Sequence, residues 1–289
     1  KIIQIGSPNF ANPTAGINPN APGYNYPITF DSLDPHMRLP YAQDWNLTIQ
    51  RSFGQGWLAE AGYVGTKGTK LPRFVEANPA IFVPGVCGGQ PCSTESNVDQ
   101  RRPYSGCSLG QSQPNCLYTS VAYLSGVVNS SYHGLQTSLR KRTNHGVSFL
   151  ASYVYSKSLD SNSSFNMTGG SSQDVAGEND LAQNPFDLRA ERGRSLFDQR
   201  HRFVFSYEWQ LPSLRGAPRW SRLAFGDWQT NGILTLATGN PFTVYDSTDV
   251  ALLGSTPEIS GFSASRPDLI GNPNNGPKTA QQLFNVNAF

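Results

Sequence analysis

Charge is scarce in this chain. Of its 289 residues only 15% are Asp, Glu, Lys or Arg, against about 25% in an ordinary soluble domain. The net charge is +2. That excludes a dedicated nucleic-acid binder, which needs clustered Lys and Arg to neutralise phosphates. No apolar run approaches the roughly 18 residues of a membrane-spanning helix. Lys1 opens into a polar, Pro- and Asn-rich stretch that lacks the apolar segment of a secretion signal. Methionine, with 2 residues, is nearly missing. What the chain does have is turn chemistry and aromatic rings. The 28 Gly and 21 Pro interrupt it too often for long helices. Aromatic residues reach 11%, which with so little charge points to a β-protein, either soluble or part of something larger.

Residues 1–40 hold seven prolines between Pro8 and Pro40 and show no periodicity, so they read as loop. Strict alternation follows. From Tyr41 to Phe53 the odd positions are Tyr41, Gln43, Trp45, Leu47, Ile49, Arg51 and Phe53; the even ones are Ala42, Asp44, Asn46, Thr48, Gln50 and Ser52. This is a long period-two strand. Gly54-Gln55-Gly56 is a tight turn, and Trp57 to Thr66 returns. A second hairpin covers 131–158, turning at Asn144-His145-Gly146. A third covers 199–239, with His201, Phe203, Phe205, Tyr207 and Trp209 on one face and a Pro-containing turn before Trp228. That makes about six long strands in three hairpins, with a seventh predicted to start at Phe242–Tyr245. The connections between hairpins, 67–130, 159–198 and 240–289, are very long. Loops of that length are rare in compact soluble domains, whereas short turns on one side and long loops on the other are the habit of outer-membrane barrels.

A β-sandwich also alternates, and three features separate the two. The strands are long enough for a tilted membrane crossing of about 9–11 residues. Their polar faces are mostly Ser, Thr, Asn and Gln, where a solvated soluble sheet would be charge-rich. Charges on the apolar faces, Arg51, Lys141 and Lys157, sit near strand ends, where long stems snorkel to the interface. Aromatics also collect at the ends: Phe53, Trp57, Trp209 and Trp228 near the short turns, Tyr41, Tyr63 and Tyr155 near the long loops. That is the pattern of two aromatic girdles. The prediction is an all-β fold, an antiparallel up-and-down transmembrane β-barrel segment in contact with outer-membrane lipid. Six strands are fewer than the roughly eight of the smallest single-chain barrels, so this reading makes the chain part of a larger barrel.

Several strings resemble the barrel of Oar-like TonB-dependent transporters of acidobacteria and related Gram-negative bacteria. They are Pro40-Tyr41-Ala42-Gln43-Asp44-Trp45-Asn46-Leu47-Thr48-Ile49-Gln50-Arg51, Tyr63-Val64-Gly65-Thr66-Lys67-Gly68, Ser131-Tyr132-His133-Gly134-Leu135-Gln136, Ala151-Ser152-Tyr153-Val154-Tyr155-Ser156-Lys157-Ser158, Asp187-Leu188-Arg189-Ala190-Glu191-Arg192-Gly193 and Phe197-Asp198-Gln199-Arg200-His201-Arg202-Phe203. Gly239-Asn240-Pro241-Phe242-Thr243 continues the series. The resemblance implies a cell outer-membrane location with extracellular loops and a transport or receptor role. It also implies partnership with TonB and a plug domain, neither of which this stretch encodes, and an extracellular ligand.

Strand parity makes Asn46, Gln50, Glu60, Gln136, Arg140, Arg200, Arg202 and Glu208 the candidates for lining a lumen or touching ligand. A one-residue slip would reverse them. The densest charged run, Arg189 to Arg202, has two readings: a ligand- or plug-contacting patch, or an ion-pair network around Asp198 and Glu191 with Arg189 and Arg192 at the barrel rim. The second is preferred, because carboxylates satisfy arginines without any ligand. Cys87, Cys92, Cys107 and Cys116 share one long loop. Their x4, x14 and x8 spacings do not fit a zinc site. Two disulfides are expected in an oxidising exterior. Of three pairings, Cys87–Cys92 with Cys107–Cys116 is preferred. Asp160-Ser161-Asn162-Ser163-Ser164 begins like a calcium loop but has Phe165 and Ser171 where Gly and an acid belong. No P-loop, H-E-x-x-H or G-x-S-x-G pattern occurs, so neither enzyme, metal nor cofactor is expected. The competing readings are a secreted adhesion or glycan-binding sandwich, with Phe203, Phe205 and Tyr207 against a second sheet, and a passive porin.

Overall fold

The computed structural model describes residues 28–110, 116–142, 146–163, 182–211, 216, 218–226, 228–246, 248–254 and 265–289. Six long strands form one antiparallel meander: β2 (Tyr41–Phe53), β3 (Trp57–Glu76), β6 (Tyr118–Lys141), β7 (Val147–Asp160), β9 (His201–Gln210) and β10 (Gln229–Ala237). They lie in the order β10-β9-β7-β6-β3-β2, each beside its neighbour in sequence along the path. Four short strands complete the set: β1 (Ile28–Leu33), β4 (Val86–Cys87), β5 (Gln90–Pro91) and β8 (Gly193–Arg194). Among the described residues β2 pairs with β3 alone and β10 with β9 alone, so the sheet is open at both edges. Residues 1–27, the middle of the second turn at 143–145, much of the Pro-containing turn at 212–215 and part of the third connection at 164–181 lie outside the described residues.

The first hairpin shows why the chain turns where it does. Phe53 pairs with Trp57, leaving Gly54 and Gly56 in the turn with φ of +53° and +77°. A Cβ on Gly56 would stand 2.3 Å from the carbonyl oxygen of Arg142, whose own N–H donates to Gly56 O. Only glycine fits both the backbone and the space.

Register carries parity unbroken across the sheet. Gln50 stands opposite Glu60, Glu60 opposite Ser138, Ser138 opposite Ser152, Ser152 opposite Val204 and Val204 opposite Thr235. One face is therefore lined by Ser, Thr, Asn and Gln, while Leu47, Tyr63, Leu135 and Tyr155 form a row on the other. Both faces lie open. Leu47 and Ile49 are 66% and 67% exposed, and no described element covers the apolar face. This overturns the sandwich, which needs a second sheet over Phe203, Phe205 and Tyr207; Tyr207 is exposed on a single layer.

Three elements differ from the sequence expectation. β3 and β6 extend to Glu76 and back to Tyr118, well into the predicted 67–130 loop. Beyond a register irregularity around Leu71 the pairing continues from Pro72↔Gly126 to Glu76↔Ala122, because backbone hydrogen bonds hold a ladder whose side chains no longer alternate. β1, in the predicted N-terminal loop, adds in parallel to β6 between Tyr118 and Leu124. No strand forms at Phe242–Tyr245; Phe242 packs instead on Phe284, with ring centroids 4.7 Å apart. On the short-turn side a seven-residue helix, α1 (Arg219–Phe225), was also unforeseen, and Ala224 O accepts from Trp228 Nε1 at 2.9 Å.

Candidate lumen wall and loop cap

The apolar face is banded. Near the short turns, Phe53 stacks on Trp57 at 6.0 Å, Trp57 meets Phe149 edge-on at 5.6 Å, and Phe149 lies 5.8 Å from Phe205. The Lys141 ammonium sits 4.7 Å over the Trp57 ring. Nearer the long loops, Tyr63 Oη lies 2.7 Å from His133 Nδ1 and Tyr153 Oη 2.8 Å from His201 Nδ1. Trp45 covers Gly65, where a Cβ would come within 2.3 Å of the indole. Leu47 and Leu135 alternate with Tyr63 and Tyr155 in the upper belt, and between the two belts stand Ile49, Ala59, Ala61, Leu139 and Ala151. Eight residues separate Trp45 from Phe53, ~26 Å at ~3.3 Å per residue. On a strand tilted by about 40° that is ~20 Å of height, close to the ~25 Å apolar band flanked by aromatic girdles in membrane barrels.

The opposite face collects Asn46, Gln50, Glu60, Gln136, Arg140, Arg202 and Glu208 by register. Cross-strand polar pairs tie it together. Gln50 Nε2 donates to Glu60 Oε2, Thr66 Oγ1 to Asp44 Oδ1 at 2.7 Å, and Gln229 Nε2 to Glu208 Oε1 at 3.0 Å. Otherwise these side chains are spread over the height of the wall. Arg140 and Glu208 both border a concavity of about 490 Å³ above the short turns, shared with Ser148, Ser206 and Asn231. Arg200 stands apart, before β9, with Nε 3.5 Å from Asp198.

Above the wall, residues 77–110, 116–117 and 249–254 build a cap. Cys87 is bonded to Cys92, closing the β4–β5 ribbon, and Cys107 to Cys116. The centre of the cap is polar. Arg101 donates to Asn97 Oδ1 (2.9 Å), Ile81 O (2.8 Å) and Leu252 O (2.8 Å). Arg102 donates to Asp99 Oδ1 (2.9 Å), Asn78 O (2.5 Å) and Gly254 O (2.8 Å), with Glu76 3.6 Å away. Glu76 in turn accepts from Ser120 Oγ and from the N–H groups of Asn78 and Val121. Burial draws the Arg101 guanidinium below its ordinary pKa, and Asp249 opposes the shift. The sequence reading passed over Arg101, Arg102, Glu76 and Asn78. The one available signal was an Arg-Arg pair between two pairs of cysteines in a charge-poor chain.

At the rim, Glu191 bridges Arg73 (3.1 Å) and Arg266 (2.6 Å), residues far from it in sequence. Asp198 holds Arg194 at 2.7 Å and accepts the Ser158 N–H at 2.7 Å. Burial pushes both carboxyls up, but these partners outweigh it and hold each below the usual carboxylate range. Arg189 is exposed and held through its backbone: its N–H donates to Asp187 Oδ1 and its carbonyl accepts the Arg192 N–H. Arg192 reaches Ser131 Oγ at 2.8 Å. Among the described residues no group of His, Cys, Asp or Glu could hold a metal, and Asp160 accepts from Ser163 Oγ.

No curated protein and no solved structure matches the chain. A banded single-layer sheet, polar on one face and apolar on the other, is the wall of a membrane barrel. In agreement, the family model of the outer membrane beta barrel domain matches residues 3–289, and the chain belongs to that family.

Proposed function

We propose that this chain is wall and cap of an Oar-like TonB-dependent outer-membrane transporter, with the cap on the extracellular side and the polar face toward the lumen. It acts as a receptor and conduit and not as an enzyme. The observation that carries the reading is the asymmetry of the sheet ends. One end has the shorter connections, the tightest at Gly54–Gly56 and the longest carrying α1; the other bears a disulfide-stapled cap built on strand extensions that outrun the aromatic band. Disulfides form in oxidising compartments and at cell surfaces, which supports an outward-facing cap. A ligand would meet the cap first and then the row of Gln, Ser and Arg side chains on the polar face. Energy coupling through a plug and TonB rests on the strings that resemble the Oar-like barrel.

Two measurements on the full-length protein test this. A peptide tag inserted at Gly88-Gly89, in the exposed ribbon turn, is expected to be labelled on intact cells. Crosslinking to the periplasmic domain of TonB is expected to trap a complex. Labelling only in lysed cells would refute the orientation. Absence of a TonB complex together with steady conductance in planar bilayers would favour the passive porin.

A further inference from the structure

The apolar face carries cations that the wall itself does not use. Directly above the upper aromatic belt, Lys67 on β3 stands opposite Ser131 on β6, and Lys157 on β7 stands opposite His133 on β6. Arg192, from the connection before β8, donates to Ser131 Oγ and lies 3.5 Å from Asn129 O. Three positive side chains from three segments thus converge on two residues of one strand. All three are exposed, and among the described residues none has a carboxylate partner. Of the carboxylates close to Arg192 in the chain, Glu191 is held by Arg73 and Arg266 and Asp198 by Arg194 and Arg200, while Asp187 accepts the Arg189 N–H. Their register neighbours on this face, Gln43, Gly65 and Leu159, carry no charge.

We infer that Lys67, Lys157 and Arg192 form a binding site for the phosphates of lipid A, the phosphorylated glycolipid of the outer leaflet, on the outside of the wall. With the cap facing outward, as in the proposed function, the site meets the outer leaflet. Single snorkelling lysines need no partner, but three cations without carboxylates concentrate positive potential at one spot. Neighbouring strands lie about 4.8 Å apart and residues about 3.3 Å along them, so Lys67 and Lys157, two strands and two residues apart across β6, start ~12 Å from each other, a span their flexible stems can close on one phosphate. Arg192 between them offers the planar fork that binds phosphate oxygens two at a time. Below them the apolar band receives the acyl chains.

The test uses the full-length protein in detergent and native mass spectrometry. The probes are bisphosphorylated lipid A, the same glycolipid with its phosphates removed, and phosphatidylglycerol. The wild type is expected to retain lipid A at least tenfold better than the dephosphorylated form. The triple variant Lys67→Gln, Lys157→Gln, Arg192→Gln is expected to lose that preference, while Lys278→Gln, in an exposed loop, keeps it. A triple variant that retains lipid A as the wild type does would overturn the site, as would equal retention of phosphatidylglycerol by the wild type. The assay does not depend on orientation in the cell. Lost preference with a surface-labelled cap sinks the phosphate site alone; preserved preference with an unlabelled cap sinks the orientation alone.

Discussion

In the wall, Leu47 and Ile49 are about two-thirds exposed, while in the cap Arg101 and Arg102 are 5% and 6% exposed. One region turns its apolar residues outward and the other turns its charged residues inward. Each is stable for its own reason. The wall relies on backbone ladders and on a solvent that accepts hydrocarbon. The cap, too small to enclose an apolar core, relies on guanidinium groups that satisfy several backbone carbonyls at once, and on two disulfides. Among the described residues the buried apolar side chains are few: Ala80, Cys92, Cys116, Val121 and Val128 lie in the cap and the strand extensions beneath it, and Ala182, Leu196 and Ala288 in the rim and the C-terminal stretch. The two regions therefore respond to different insults.

Removing Arg102 strikes the cap hardest. Arg102→Ala leaves Glu76 short of a cation and the carbonyls of Asn78 and Gly254 without donors, a loss of about 3–5 kcal/mol for a broken buried pair. Hydrogen exchange is expected to rise across residues 77–117 and to stay unchanged across β2 and β9; a matching rise in the wall would show that the regions are not separable. The reciprocal change is Ile49→Arg, in the row midway between Trp45 and Phe53. A cation near the bilayer midplane costs about 2–4 kcal/mol, so urea titration of the lipid-embedded full-length protein is expected to shift accordingly while cap protection holds. The same change at Gln136, on the polar face, should cause no comparable shift, which distinguishes lipid exposure from packing.

Opening both disulfides comes next. Each closes a short loop, and Cys→Ser pairs are expected to cost about 2–3 kcal/mol each on the loop-entropy relation, read as faster proteolysis of the cap. The smallest effect is that of acid on the rim. Glu191 and Asp198 are held below their ordinary pKa values, so their stabilisation is complete above the unfolded values near about 4. It is lost as pH falls through the lowered folded values. Protease sensitivity of residues 182–200 is expected to increase below about pH 4 while the wall persists. Sensitivity that instead rises on raising the pH would contradict the assigned pairs.

Alternation made the wall legible because side chains on a strand have period two whatever lies beside them. The parity of Gln50, Glu60, Gln136 and Arg140 could be read before any neighbour was known. β1 was not legible, since a short parallel addition to an existing edge needs no periodicity of its own. The extensions of β3 and β6 were missed for a related reason: beyond Lys67 the ladder persists, but both faces are packed by cap and rim, so no polar–apolar contrast marks it. The rim network was only half legible. Asp198 pairs within its own segment, whereas Glu191 pairs with Arg73 and Arg266, which no local spacing connects.

The sequence by itself determined that six strands of this chain have one oily and one wet face, where the tight turns fall, and which side chains share a surface. Those are consequences of local chemistry repeated every second residue. Only the tertiary structure decided that Arg101 and Arg102 hold the cap, that Arg73, Glu191 and Arg266 meet, and that Lys67, Lys157 and Arg192 converge. Such contacts depend on through-space distance between segments tens of residues apart, and the order of residues along a chain carries no record of it.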